Sequence, residues 1–211
     1  MESLDEILEA AKYCLDYKKI ENKWEPFNTG GCLGFPGATL LLSLVDSMGS
    51  YHRGNKNFQI EIDGNKKGVI NAQGWEHFKI LNSHYFGLHL SSAVIKQLYK
   101  NARDPLTHNS AIKGSIRMKP CRNSLSQGAK AIEVDEKTGV ITIFLKEFWE
   151  LCNNAVNQFK KEDIYNVHMS KIGQELQRTF PTDSISSSSN EKYAASGVFA
   201  VNTIKDCYDG Q

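Results

Sequence analysis

The chain of 211 residues has little of what marks the specialised protein classes. It lacks an excess of charge of one sign: 25 Lys and Arg stand against 24 Asp and Glu, for a formal net charge of +1. A global attraction for nucleic acid is therefore absent, and any such binding must rest on a local patch. It lacks long apolar runs. The longest, "GATLLLSLV", is core-sized and far short of the roughly 20 residues that cross a bilayer. The N-terminal "MESLDEILEAAKYCLDYKK" has no basic start followed by an apolar stretch, so no secretory leader is expected. Cysteine is sparse and odd in number. Cys14, Cys32, Cys121, Cys152 and Cys207 fit neither a disulfide framework nor a zinc knuckle, which points to a reducing cytoplasm. The patterns G-x-S-x-G, H-E-x-x-H and G-x-G-x-x-G are missing. No cofactor, metal or membrane contact is expected.

What is present is helical periodicity. Leu4, Ile7, Leu8, Ala11 and Leu15 share one face, with Glu2, Asp5 and Glu6 at the positive end of the helix dipole. "ENKWEPFNTGGCLGFPG" breaks the pattern and reads as a loop. A second helix is expected over about 38–51, with Leu41, Leu44, Val45 and Met48 on its buried face and Leu40 and Leu42 widening it. Phe58, Ile60 and Ile62 alternate with polar residues before Asp63-Gly64, and Val69-Ile70 returns, which predicts a hairpin. A third helix is expected over about 86–103. A second hairpin, "AIEVDEKTGVITIF", leads into a fourth helix over about 145–162, with Leu145, Phe148, Trp149, Cys152, Val156 and Phe159 inward. Beyond 163 the signal weakens. Ile164, Val167, Ile172 and Leu176 fit one more helix, and "PTDSISSSSNEK" reads as a low-complexity linker. The expected organisation is a helical domain over 1–163 and an extension over 164–211. The fold expected is mainly α, a bundle of four to five helices with small β-hairpin insertions.

The chemistry concentrates in "YKNARDPLTHNSAI", residues 99–112. Pro105 disfavours helical geometry before it, so a break near Asp104 is expected, with Asp104 capping a restarted turn. Such a kink would aim Arg103 and His108 at a common point. A histidine with an unperturbed pKa of roughly 6.5 can move a proton at neutral pH. An arginine offers a planar fork to phosphate oxygens. That pair suits RNA cleavage by 2′-hydroxyl attack. The plainer reading is that Arg103 complements a helix dipole and His108 is a surface group.

"LYKNARDPLTHNS" resembles the signature of the HEPN superfamily, an arginine, a polar residue, and a histidine with four to six residues between it and the arginine. Arg103, Asp104 and His108 match its three positions, and "GVITIFLKEFWELCNNAV" is similar to the segment after the motif in many members. The resemblance covers about residues 1–162, most strongly 85–112. It implies a HEPN-like bundle and a metal-independent endoribonuclease, dimeric, with two motifs meeting across the interface. Some members act as toxins or antiviral effectors under an antitoxin or regulatory protein. Others are binding modules without activity. The resemblance gives His108 the proton transfer, Arg103 the phosphate, and Asp104 a helper role. Asn109 is a further candidate donor. Lys113, Arg117, Lys119 and Arg122 form a basic cluster, expected in a loop, that would guide RNA.

Other candidates carry less. "TGGCLGFPGAT" lacks the lysine of a phosphate loop and is expected to cap the second helix. His52, Arg53 and Lys56 are expected as dipole-complementing charge, with RNA contact as the lesser alternative. His84 and His89 show no carboxylate partner in the sequence and are expected in the core or on the surface.

Overall fold

The computed structural model describes residues 2–18, 32–67, 70–71, 74–121 and 130–162, which belong to one compact unit. It is mainly helical, with two small sheets. The expectations for 164–211, and the loop over 19–31, lie outside the described residues.

Helix α1 (Glu2–Asp16) buries Leu4, Leu8 and Ala11 and rests Ile7 and Leu15 on the same core. It lies along α2 (Gly34–Tyr51), which buries Ala38, Leu41, Leu42, Leu44, Val45 and Met48. The helix starts earlier than expected. Gly34-Phe35-Pro36-Gly37 forms its first turn instead of a capping loop, because a proline in the first turn has no intrahelical bond to lose. Strands β1 (Ile60–Ile62) and β2 (Asn65–Lys67) make the first hairpin, Ile62 opposite Asn65. Asp63 and Gly64 both take positive φ, 52° and 72°, which a two-residue turn of this hand requires. The return strand is therefore 65–67, and Ile70 instead bridges to Arg53.

Next come the short helix α3 (Gly74–His77) and a 3-10 segment (Phe78–Asn82). Both lack the length to show helical periodicity. Asn82 ties the first hairpin to the chain ahead: its amide donates to Glu61 O at 3.0 Å and Leu90 O at 2.6 Å and accepts from Leu90 N at 2.7 Å. Helix α4 (Ser92–Gln97) begins with Ser91 accepting from Val94 N, so the third helix starts later than the apolar pattern implied. A π turn (Leu98–Arg103) and α5 (Asp104–Asn109) continue it without interruption.

Strands β3 (Ile116–Lys119), β4 (Ile132–Val134) and β5 (Ile141–Phe144) form a sheet of order β3-β5-β4. β4 and β5 are the second hairpin, Ile132 opposite Ile143, with Gly139 at φ 69° in its turn. β3 is a correction. The basic segment expected as a loop is a strand, parallel to β5 with Ile116 beside Ile141. Charged residues on such an edge strand deter pairing with other chains, and they masked its apolar alternation.

Helix α6 (Leu145–Lys161) packs on α1 and α2. Its predicted face is buried, save Trp149, which is half-buried and donates from Nε1 to Leu8 O at 2.9 Å. Lys160 pairs with Asp5. Phe159 belongs to an aromatic cluster with Tyr51, Tyr85 and His52. Just past α6, Glu162 accepts from Tyr85 Oη at 2.5 Å and meets His84 Nε2 at 2.8 Å. Burial pushes the Tyr85 phenol well up, and the Glu162 charge adds to that.

Desolvation alone would raise the Glu162 carboxyl, but Tyr85 and His84 outweigh it and hold it below its ordinary value. A native pKa below the unfolded one stabilises the fold above the unfolded value, about 4.3, and that gain is lost as pH falls through the native value. Glu162→Gln should therefore lower the melting temperature most above about pH 5 and converge on wild type in acid. Thermal melts of both proteins against pH check this, and a gap that is constant with pH would refute it.

Candidate functional site

Pro105 has no N–H, so the carbonyl four residues back, on Asn101, loses its helical donor. The helix does not break there. It widens: Asp104 N donates to Tyr99 O, five residues back, and both Arg103 and Asp104 keep right-handed helical angles. Asn101 O instead receives Lys113 N at 3.0 Å, and its side chain donates to Ser115 Oγ at 2.9 Å. The expected break and the capping role of Asp104 are thus both corrected. The chain beyond α5 satisfies the orphaned carbonyl from outside the helix, and π turns of this kind are often found at functional sites. The helix ends at Ser110, where φ is 51°.

The π turn delivers Arg103 to α2. Its Nη2 lies 2.6 Å from Asp46 Oδ2, and the guanidinium sits 5.4 Å from the centre of the Tyr99 ring. The other Asp46 oxygen, Oδ1, lies 2.7 Å from His77 Nδ1. One carboxylate therefore joins three elements. An ionised carboxylate only accepts, so His77 carries its proton on Nδ1. Among the described residues, His77 Nε2 and Arg103 Nε are buried without a hydrogen-bond partner. Two glycines make room for this cluster. A Cβ on Gly49 would stand 2.1 Å from His77 O, and one on Gly74 would stand 2.5 Å from Tyr99 Oη. Gly49 lets α3 press against α2, and Gly74 lets Tyr99 lie under Arg103.

Beside His77, Glu76 accepts from Asn71 N at 2.8 Å and pairs with Lys79 at 3.0 Å. Desolvation opposes its ionisation, but those two partners prevail and hold it below the ordinary carboxylate range.

His108 lies elsewhere. Its side chain is 66% exposed, with Nε2 3.6 Å from Asp104 Oδ1, an ion-pair distance when the ring is protonated but too long for a hydrogen bond. Five residues along an α-helix turn through about 140°. Arg103, 22% exposed, is bound inward to Asp46, so within one chain the two motif side chains do not converge. This corrects the expectation of a common focus.

The remaining candidates scatter around this centre. Asn109 is exposed at the last position of α5. Lys113 is exposed just beyond, its backbone fastened to the π turn. Arg117 and Lys119 are exposed on edge strand β3, Arg117 near Asp135 and Lys119 with Nζ 5.8 Å from the Phe144 ring centre. Arg122 lies outside the described residues. His52 is not a terminal charge: it is 1% exposed and stacks on Phe58 at 3.6 Å. RNA contact through it is overturned. His84 does have a carboxylate partner, Glu162, supplied by a distant element. Among the described residues no group of three or more His, Cys, Asp or Glu is arranged to hold a metal ion. Among the same residues no helix is long and apolar enough to cross a membrane.

Asp46 and His77 are the residues that sequence reasoning missed. The only local signal is a lone aspartate in an otherwise uncharged helix, with a glycine three residues on. Asp46→Ala leaves the Arg103 guanidinium half-buried and unpaired and should cost about 3 kcal/mol, the lower end for a buried pair. Gly49→Ala should cost about 1–3 kcal/mol through overpacking against the His77 carbonyl. Gly114→Ala, where a methyl meets open space, should stay within about 0.5 kcal/mol of wild type. Urea unfolding of the three variants checks the order.

Compared with known proteins, the chain matches no family model, no curated protein and no solved structure.

Proposed function

We propose that the chain is a metal-independent endoribonuclease of HEPN type, working as a homodimer. In the cleavage step the 2′-oxygen forms a bond to the neighbouring phosphorus and the bond to the 5′-oxygen breaks. His108 takes the 2′-hydroxyl proton, and a proton is returned to the leaving 5′-oxygen. The products carry a 2′,3′-cyclic phosphate and a 5′-hydroxyl. Arg103 stabilises the charge that grows on the phosphate. Asp104, with Oδ1 3.6 Å from His108 Nε2, is the polar helper beside that ring. Asn109, Lys113, Arg117, Lys119 and Arg122 contact the RNA backbone.

The observation that carries this reading is the exposure of His108, on a helix end beside a carboxylate. A buried, fully bonded histidine would argue for a purely structural motif. The outward His108 leaves its ring open to a second copy of the chain, as a composite centre requires. The bundle assignment, a cytoplasmic location, and a toxin or antiviral role restrained by an antitoxin or regulatory protein belong to the same proposal.

A second reading has its own observation. Arg103 is already bound to Asp46 at 2.6 Å. A dimeric module that binds RNA, a nucleotide or a protein without cutting would use the motif as an internal fastening.

Cleavage of total tRNA and a structured messenger RNA, in EDTA, separates the two. Wild type should cut and leave cyclic phosphate ends. His108→Ala should lose at least about 100-fold in rate, the usual scale of general acid–base catalysis, with an unchanged melting temperature. Equal mixing of His108→Ala with Arg103→Ala should restore part of the activity if the centre is shared between copies. No cutting by wild type over several RNAs and pH values would favour the module.

A further inference from the structure

A strip of aromatic and basic side chains runs from α3 to the π turn, on residues outside the basic cluster around β3. Trp75 is half-buried, and Lys96 Nζ stands 4.5 Å and Lys79 Nζ 5.1 Å from its ring centre. Tyr99 Oη lies against Gly74, the residue before Trp75, and the Tyr99 ring carries Arg103 at 5.4 Å. Tyr99 thus links Arg103 to the residue that precedes Trp75.

The charges along the strip are not equivalent. Lys79 is matched by Glu76 at 3.0 Å, and Arg103 by Asp46 at 2.6 Å. Lys96 and Lys100 are exposed one helical turn apart, and among the described residues neither is held in an ion pair. The strip therefore offers two uncompensated ammonium groups beside an indole and a phenol, ending at the arginine of the motif.

We propose that this strip binds a single RNA strand, with a base stacked on Trp75 and its flanking phosphates on Lys96 and Lys100, and leads that strand to Arg103. This deepens the ribonuclease reading and rests on it for the fate of the strand, but not for binding. An exposed cation–π contact is weaker than a base–aromatic stack. Lys96 can therefore leave the indole for a phosphate and yield its own place at the ring to a base. Bases paired inside a duplex do not reach such a platform, so the strip selects unpaired segments.

The test uses the full chain and a fluorescein-labelled, 2′-O-methyl RNA of about ten nucleotides, which cannot be cleaved at its blocked 2′ positions, in about 50 mM salt. Anisotropy should show binding by wild type. Lys96→Ala/Lys100→Ala should weaken it roughly ten-fold or more and lower the slope of log affinity against log salt by about 1.4, two phosphate contacts at about 0.7 each. Trp75→Leu should weaken it by a similar factor, and Trp75→Phe should retain most of it. A duplex of the same sequence should bind more weakly than the single strand. The inference is overturned if wild type does not bind, if the lysine pair or Trp75→Leu leaves affinity unchanged, or if the duplex binds as well. If the strand binds as expected but unmodified RNA is not cut, the ribonuclease reading fails and the binding strip stands.

Discussion

Pro105 has no amide hydrogen to give to Asn101, and the helix that carries Arg103 answers by widening into a π turn. Most of the surroundings of Arg103 depend on that local change. The freed Asn101 carbonyl draws the chain after α5 back onto the helix through Lys113 N. Tyr99, on the wide turn, reaches the Gly74 backbone. Arg103 leaves the turn towards α2, where Asp46 meets it. A helix with a standard residue at 105 would keep the ordinary bond to Asn101 and would lack the reason for each of these contacts.

Asp46 converts the local widening into a tertiary link. Its two oxygens serve two different elements, His77 at the end of α3 and Arg103 on the π turn, at 2.7 and 2.6 Å. A carboxylate inside an apolar helix face is costly by itself and is stabilised by two donors. The same bridge restrains Arg103. One terminal nitrogen is committed to Asp46, and the guanidinium plane is further fixed by Tyr99. His108 has the opposite character, outward and lightly held by Asp104.

Glycine appears where the cluster is tightest. Gly49 and Gly74 adopt ordinary backbone angles and are needed only because a methyl group would collide, with the His77 carbonyl in one case and the Tyr99 hydroxyl in the other. His52 shows the converse. A residue at the end of a helix, charged in expectation, is stacked inside an aromatic cluster because the first hairpin folds Phe58 over it.

The sequence by itself determined the long elements. α1, α2 and α6 arise from apolar residues spaced for one helical face, and the turns at Asp63-Gly64 and Gly139 arise from residues that tolerate positive φ. It also marked Arg103, Asp104 and His108, because a motif is a local spacing. Only the tertiary structure decided what Arg103 touches. Asp46 and His77 lie far from it in the chain, and no periodicity or spacing encodes a contact between α2, α3 and the π turn. The same holds for β3, whose strand character came from a parallel neighbour, β5, and not from its own charged residues. Local propensity acts through neighbours a few residues away. The orientation of a side chain in a site depends on which distant surfaces the core brings together.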